Sequence, residues 1–367
     1  MPAVPNFVAA DVTEVVMPGL VEPDGLQVRT RPMARPVAGQ ALIEIEASGV
    51  SFAEQAMRRG RYPGQPKFPF VPGYDLVGTV VGVGASVDPA LIGRRVAAIT
   101  ETRGWASHAL VSADELVPVP DGLDPTEVEA VVVNGVTAWQ MLHRKARVRP
   151  GQTILVHGAN GGVGTILVQL AYHHGVRVIG AASPRHHDAL RALGVVPVDY
   201  HDPDLMASRI RDIAPGGVDA VFDNIGGETI NRSWDLLSPG GTLVSYSIAS
   251  VIQGTGSILV PYMFLLARLA WWNALPNWRK ATFYDVWDRN LIGRIRRPAE
   301  FRVRLREDLT TIFGLLAQGV ITSQVAARFP LANVREAMEF AESRTAIGKV
   351  IIVPDPQPAA DAAPRPS

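Results

Sequence analysis

The sequence predicts an α/β protein in which a parallel sheet wound with helices follows a compact β-rich region. Three observations carry this. Gln152 to Ser183, QTILVHGANGGVGTILVQLAYHHGVRVIGAAS, has the pattern of strand, glycine loop, helix and second strand. Strands and helices keep alternating from there to GTLVSYS at 241–247, as parallel βα units do. Ahead of it, Val12 to Pro120 holds many short strands separated by glycine and proline turns.

In the glycine unit, Ile154, Leu155 and Val156 suit a strand buried on both faces, and Ile166, Leu167, Leu170 and Ala171 recur at helical spacing. Val176, Val178 and Ile179 supply the second strand. Between strand and helix lies Gly158-Ala159-Asn160-Gly161-Gly162-Val163-Gly164. Its glycines let the backbone turn tightly and approach a ligand, while the helix start offers free N–H groups and a positive dipole end. That combination seats a pyrophosphate. The loop departs from strict GxGxxG, because Ala159 and Asn160 separate its first two glycines.

The end of the second strand selects the dinucleotide. NAD sites place Asp or Glu about 20 residues beyond the first glycine, to accept from the ribose hydroxyls. Here the positions read Ala181, Ala182 and Ser183, followed by Arg185, His186 and His187. A planar cation in place of a carboxylate suits a 2′-phosphate and so NADP(H); the plain alternative is a solvated surface cluster.

At 367 residues and 47% hydrophobic content the chain can bury two domains' cores. Lys+Arg and Asp+Glu are equal at 35 each, and no local basic patch marks a nucleic-acid partner. Cysteine is absent, which excludes disulfides, thiolate catalysis and Cys-ligated zinc. The start, MPAVPNFVAADVTEVV, lacks the basic and continuously apolar character of a signal peptide, so a cytoplasmic location is expected.

Taken in order, Leu42, Glu44 and Glu46 alternate with Ile43, Ile45 and Ala47, which predicts a strand with one wet face. Ser51 to Arg59 is spaced for a helix, and Gly60 to Gly73 is a loop whose Tyr62, Phe68 and Phe70 line an apolar pocket or pack the core. Val96, Ala97 and Ile99 mark another strand, and Pro125 to His143 is helical, with NGVTAW at 134–139. After Ser183 come a helix at 189–193, a strand at 196–200, a helix at 208–213 and a buried strand at 218–222. FDNIGG, 222–227, then falls at a strand's carboxyl end, where ligands bind in open parallel sheets; Asn224 and Gly226 are neighbours of the nicotinamide ribose or simple turn residues. Ile258 to Leu275 is strongly apolar but short and broken by Pro261 and Arg268, so a lid, substrate wall or dimer contact is expected instead of a membrane span. A helix at 299–318, a last strand at 350–353 and a Pro/Ala-rich, disordered tail from 354 complete the chain.

These motifs together resemble the zinc-independent quinone oxidoreductase branch of the medium-chain dehydrogenase/reductases, from about Glu14 to Val353. The carriers are GVSFAEQAMRRGRYP, PGYDLVGTVVGVG, LVHGANGGVG, VDYHDPD, FDNIGG and GKVIIV, while SPRHHDAL, ALRALG and ARLAWWN are similar to the vesicle amine transport protein homologues. The resemblance implies a GroES-like β-rich catalytic domain built from both chain ends (1–135 and 305–353), with a Rossmann doubly wound parallel sheet (136–304) inserted between them. It also implies homodimers and NADPH, with Tyr200 and Arg185 at the 2′-phosphate, and Asn134, Thr137 and Lys349 complete the expected cofactor set. Where zinc relatives carry a GHE histidine, this chain has Gly73-Tyr74-Asp75, so no metal is expected. The branch usually has Asn at Ser51 and Asp at Glu54, and the change alters substrate placement.

Hydride transfer from NADPH to a quinone or to the C=C of an α,β-unsaturated carbonyl is the activity these features imply, with a hydrophobic small molecule as substrate. Such a reaction needs a donor for charge growing on the carbonyl oxygen; Tyr62 is the first candidate and Ser51 the second. The rival is a nucleotide-binding protein that works at membranes or in an assembly with little catalysis, suggested by the aromatic stretch 258–287.

Overall fold

Two sheets organise the chain, and the computed structural model describes residues 11–247, 249–252, 258–289, 298–343, 345 and 347–354. The first part runs β1 (Asp11–Val16), β2 (Gln27–Pro32), β3 (Gln40–Val50), α1 (Phe52–Arg58), β4 (Asp75–Val83), β5 (Arg95–Ile99), β6 (His108–Ser112), β7 (Val117–Pro118) and α2 (Pro125–Trp139). The middle follows as β8 (Thr153–His157), α3 (Gly162–His173), β9 (Arg177–Ala181), α4 (His187–Ala192), β10 (Val196–Val198), α5 (Pro203–Ile213), β11 (Val218–Asp223), α6 (Thr229–Asp235), β12 (Leu237–Ser245), α7 (Ala249–Ile252), α8 (Leu259–Ala274) and β13 (Lys280–Phe283). The chain closes with α9 (Pro298–Ala317), β14 (Val325–Pro330), α10 (Val334–Glu342) and β15 (Lys349–Val353). The disorder expected of the tail falls on 355–367, and the start of the chain on 1–10, both outside the described residues.

The middle strands pair in parallel in the order β10-β9-β8-β11-β12-β13. Counted from β8 this is the doubly wound Rossmann order, so the winding reverses between β8 and β11 and opens a ligand crevice at their carboxyl ends. The other sheet runs β14-β15-β3-β4-β5-β7, with β6 on β3. Val350 of β15 pairs antiparallel with Val50 of β3, so the last strand joins the first domain and the Rossmann unit is an insertion. Both expected boundaries, after 135 and after 304, fall inside helices. There α2 and α9 pack against each other: a Cβ at Gly135 would lie 2.9 Å from Ile312.

One expectation needs correction. Leu42 lies on the face that alternation assigns to water but is 3% exposed, because the pairing of β6 on β3 brings Leu110 opposite it and apolar residues of both sheet faces close around it. The stretch 258–275 forms α8, which buries Leu265, Leu269 and Trp272, with Trp272 stacked on Trp234 at 4.7 Å. Phe264 and Trp271 on its other side are 70% and 65% exposed. No helix among the described residues is long and apolar enough to cross a membrane.

A buried ion cluster fastens the last strand to the first domain. Lys349 Nζ bonds Asp75 Oδ2 at 2.6 Å and Glu129 Oε1 at 2.8 Å, all three side chains being 3% exposed or less. Gly49 on β3 makes the room, since a Cβ there would sit 2.1 Å from Lys349 Cε. Burial and the Asp75 charge push the Glu129 carboxyl well above its usual range, and a proton on Glu129 provides for Asp75 Oδ1 and Glu129 Oε2, which otherwise have no partner among the described residues. One ammonium, one carboxylate and one neutral acid then sum to zero.

Removing one partner of a buried pair costs about 3–5 kcal/mol, so Lys349→Met is expected to lose that much stability in urea unfolding. The folded protein holds the Glu129 proton more tightly than the unfolded chain. That contribution is complete below the ordinary carboxylate range and is lost as pH rises through the raised pKa. Melting temperature should fall with rising pH in the wild type and fall less in Glu129→Gln, whose amide keeps a donor and carries no charge; parallel curves would refute the shared proton.

Candidate active site

The glycine loop is built as a cradle. Gly158 takes φ +61°, a left-handed conformation that favours glycine, and a Cβ there would lie 2.9 Å from the Asn224 amide. At Gly164 a Cβ would lie 2.2 Å from the Gly158 carbonyl oxygen, so the helix can tuck under the loop only with glycine. Helix α3 starts after Gly161 with no side chain capping it. The Asn134 amide abuts Gly162, 2.6 Å from where its Cβ would be. Loop residues 158 and 160–163 are half-buried, whereas Ala159 and Gly164 are buried beneath. Asn134, the loop and Asn224 thus converge. The buried Asn224 Oδ1 has no partner among the described residues, and together with the uncapped helix and the side-chain-free turn it fits a dinucleotide. Thr137, one turn beyond Asn134 on α2, is buried, and the Tyr284 hydroxyl donates to Gln140 Oε1 at 3.1 Å on the same helix's continuation.

Sequence reasoning missed what holds the second wall of this crevice. Asp223 Oδ1 accepts from the N–H groups of Ile225 and Gly226, each at 2.8 Å, which fixes the turn carrying Asn224. Its Oδ2 accepts from Ser233 of α6 at 2.8 Å. With its proton so used, Ser233 accepts from His157 Nε2 at 3.0 Å, and burial keeps His157 neutral by pulling its pKa down. The buried chain His157–Ser233–Asp223 therefore ties the end of β8 to the end of β11. The Asx-turn signal in FDNIGG could have found Asp223; nothing local points to Ser233.

Ala181 at the end of β9 pairs with Val198 at the end of β10, which brings Ser183 and Arg185 beside Tyr200 on one sheet edge. Arg185 Nε donates to His186 Nε2 at 3.0 Å, and burial lowers the His186 pKa, which leaves that nitrogen free to accept. Tyr200 is 45% exposed and stacks on His201, and the adjacent Asp199 is engaged by His201 at 2.5 Å.

Of the two donor candidates, Ser51 is engaged elsewhere. Ser51 caps α1: its oxygen accepts from Ala53 N at 3.1 Å and its one proton goes to Glu54. Glu54 also accepts from Ser51 N at 2.8 Å and from Tyr74 N at 2.6 Å, so the shorter Ser51 and longer Glu54 close a capping box together. Tyr62 OH lies 2.9 Å from Tyr74 OH, and Phe52, Tyr62, Tyr262 and Phe283 pack against one apolar cluster. Burial pushes the Tyr62 phenol up to about 12, so it remains a donor at neutral pH. Phe68 and Phe70 pack on the main core. Lys349 leaves the cofactor set, because its ammonium is spent on Asp75 and Glu129. Among the described residues no cluster of three His, Cys, Asp or Glu could hold a metal.

Comparison with known proteins matches residues 37–121 to an alcohol dehydrogenase GroES-like domain and 193–352 to the zinc-binding dehydrogenase family. The human synaptic vesicle membrane protein VAT-1 homolog is 31% identical over 94% of this chain and 86% of its own. This chain is a medium-chain dehydrogenase/reductase. The 2-haloacrylate reductase of a Burkholderia species is 29% identical over 90% of the chain and 96% of its own. Among solved structures, Escherichia coli quinone oxidoreductase complexed with NADPH superposes with a TM-score of 0.78 at 26% identity, covering 93% of this chain and all of that one.

In this reductase fold the cradle yields a direct test. Gly164→Ala must displace the Gly158 carbonyl, so dinucleotide affinity measured by fluorescence titration should weaken at least about tenfold, as overpacking of about 1–3 kcal/mol requires. Wild-type affinity in that variant would show that the loop does not bind the ligand.

Proposed function

We propose that the protein is an NADPH-dependent oxidoreductase, working without metal, that delivers hydride to a quinone or to the β-carbon of an α,β-unsaturated carbonyl. The observation that carries this reading is the Tyr62 hydroxyl, held as a donor among apolar side chains in a chain that also builds an open dinucleotide cradle. The named activities of the Burkholderia and E. coli relatives support it, one acting on a haloacrylate and the other on a quinone.

In this reading α3 and Gly158 to Gly164 hold the pyrophosphate; Ser183, Arg185 and Tyr200 hold the 2′-phosphate; Asn134, Thr137, Asn224 and Gly226 border the nicotinamide ribose. NADPH supplies the hydride. Tyr62 donates a hydrogen bond to the acceptor's carbonyl oxygen as negative charge grows there, and water can protonate the resulting enolate or hydroquinone anion. The metal-free reading rests on the chain's lack of cysteine and on Asp75, whose carboxylate is committed to Lys349. The open edge of β13 and the exposed side of α8 beside it suit a second copy of the chain, giving a homodimer. The alternative, peripheral attachment to membranes, is favoured by the same exposed side; liposome co-sedimentation separates the two.

Arg185 contributes a charge-assisted contact worth roughly 1.5–3 kcal/mol, or about 10- to 150-fold. NADPH should be preferred to NADH by at least about tenfold in kcat/KM, and Arg185→Ala should remove most of that margin through KM, because the contact is alike in ground and transition states. Equal use of the two coenzymes by the wild type would sink the assignment. EDTA should leave the activity unchanged, and stoichiometric zinc in the purified protein would contradict this.

A further inference from the structure

Tyr62 is the end of a larger network. Trp287 Nε1 donates to Tyr74 OH, and Tyr74 OH lies 2.9 Å from Tyr62 OH. Arg289 bonds Glu101 at 2.5 Å, and its cation acts on the Tyr62 phenol. Trp287 and Arg289 come from one turn beyond β13, held by Asp285, whose carboxylate accepts from Trp287 N at 3.2 Å and from Arg289 N at 3.0 Å. Tyr62 and Tyr74 flank the loop between α1 and β4, so the turn reaches them from the Rossmann sheet's side.

Counting protons fixes the direction of these bonds. The indole and the guanidinium can only donate. Tyr74 is fully buried, and among the described residues its hydroxyl meets only Trp287 and Tyr62. If Tyr62 donated to Tyr74, the Tyr74 proton would be buried without an acceptor, at a cost that burial of an unmade bond imposes. With Tyr74 donating instead, the Trp287 and Tyr74 protons are both used, and the Tyr62 oxygen receives the Tyr74 bond while facing the Arg289 cation. One proton is then left over, that of the partly exposed Tyr62.

We propose that Tyr74, Trp287 and Arg289 are positioning residues that turn the Tyr62 proton outward, toward the carbonyl oxygen of the substrate, by setting the Tyr74 proton and the Arg289 cation against the Tyr62 oxygen. The network thereby selects acceptors that present a carbonyl oxygen to a donor. Glu101 balances the guanidinium, so the site offers a hydrogen bond without an unpaired cation that would hold a carboxylate product. This rests on the reading of Tyr62 as the donor to substrate.

The experiment is a set of double-mutant cycles on kcat with NADPH and a quinone or enone, using Tyr62→Phe, Tyr74→Phe, Trp287→Phe and Arg289→Met. Each single variant is expected to lower kcat about tenfold with KM for NADPH and melting temperature near wild type, and Arg289→Lys should recover part of the loss. In the Tyr62→Phe background the other three should have no further effect on kcat, since no proton remains to direct. A Tyr62→Phe enzyme with wild-type kcat would end the donor reading itself. If Tyr62→Phe is slow but Tyr74→Phe, Trp287→Phe or Arg289→Met multiplies that loss, the network is structural and the proposal is overturned. Should one variant fail to fold, the remaining two decide by the same criterion.

Discussion

The ammonium of Lys349, sunk between Asp75 and Glu129, is the interaction on which the architecture turns. It joins β15, β4 and α2, three elements from far-apart parts of the chain, and so makes the first domain a product of both chain ends. A buried ion cluster is poor evidence for stability, because desolvation offsets attraction. Its value here is register. Sliding β15 by one residue would turn Lys349 out and push an apolar neighbour into the cavity that Gly49 leaves, so few pairings are tolerated.

Helix α2 carries that constraint to the dinucleotide site. Glu129 sits in the ion cluster, Asp75 also accepts from Val133 N at 3.1 Å, Asn134 abuts Gly162, and Gly135 lets α9 approach. Four consecutive functions on one helix mean that the catalytic sheet, the glycine loop and the domain crossover share a single rigid support. The chain His157–Ser233–Asp223 does the same between β8 and β11, so both walls of the crevice are fixed by buried polar bonds, whose geometry is narrow.

Near Tyr62 one side chain serves two elements. The Glu54 carboxylate reaches both the Ser51 N–H and the Tyr74 N–H. The cap of α1 and the backbone at Tyr74 are thereby held by the same side chain. That couples the helix beside the substrate region to the phenol network without requiring any group to change charge.

By itself the sequence determined most of what depends on local periodicity and on glycine, with Leu42 the exception. The strand, loop and helix of 152–183, the alternation leading to β12, and the missing acid after β9 were legible because period, turn residues and short-range spacing are properties of neighbours in the chain. Asn134 lies against Gly162 and Asn224 against Gly158. What only tertiary structure decided are the pairings between distant elements: Lys349 with two carboxylates instead of a cofactor, Ser233 beneath the FDNIGG turn, Trp287 brought to Tyr74 and Arg289 to Glu101. Each depends on which strand lies beside which and on what burial leaves unsatisfied. A buried hydrogen bond joins residues more than 200 positions apart as readily as adjacent ones, and the sequence does not show which distant donor will find which acceptor.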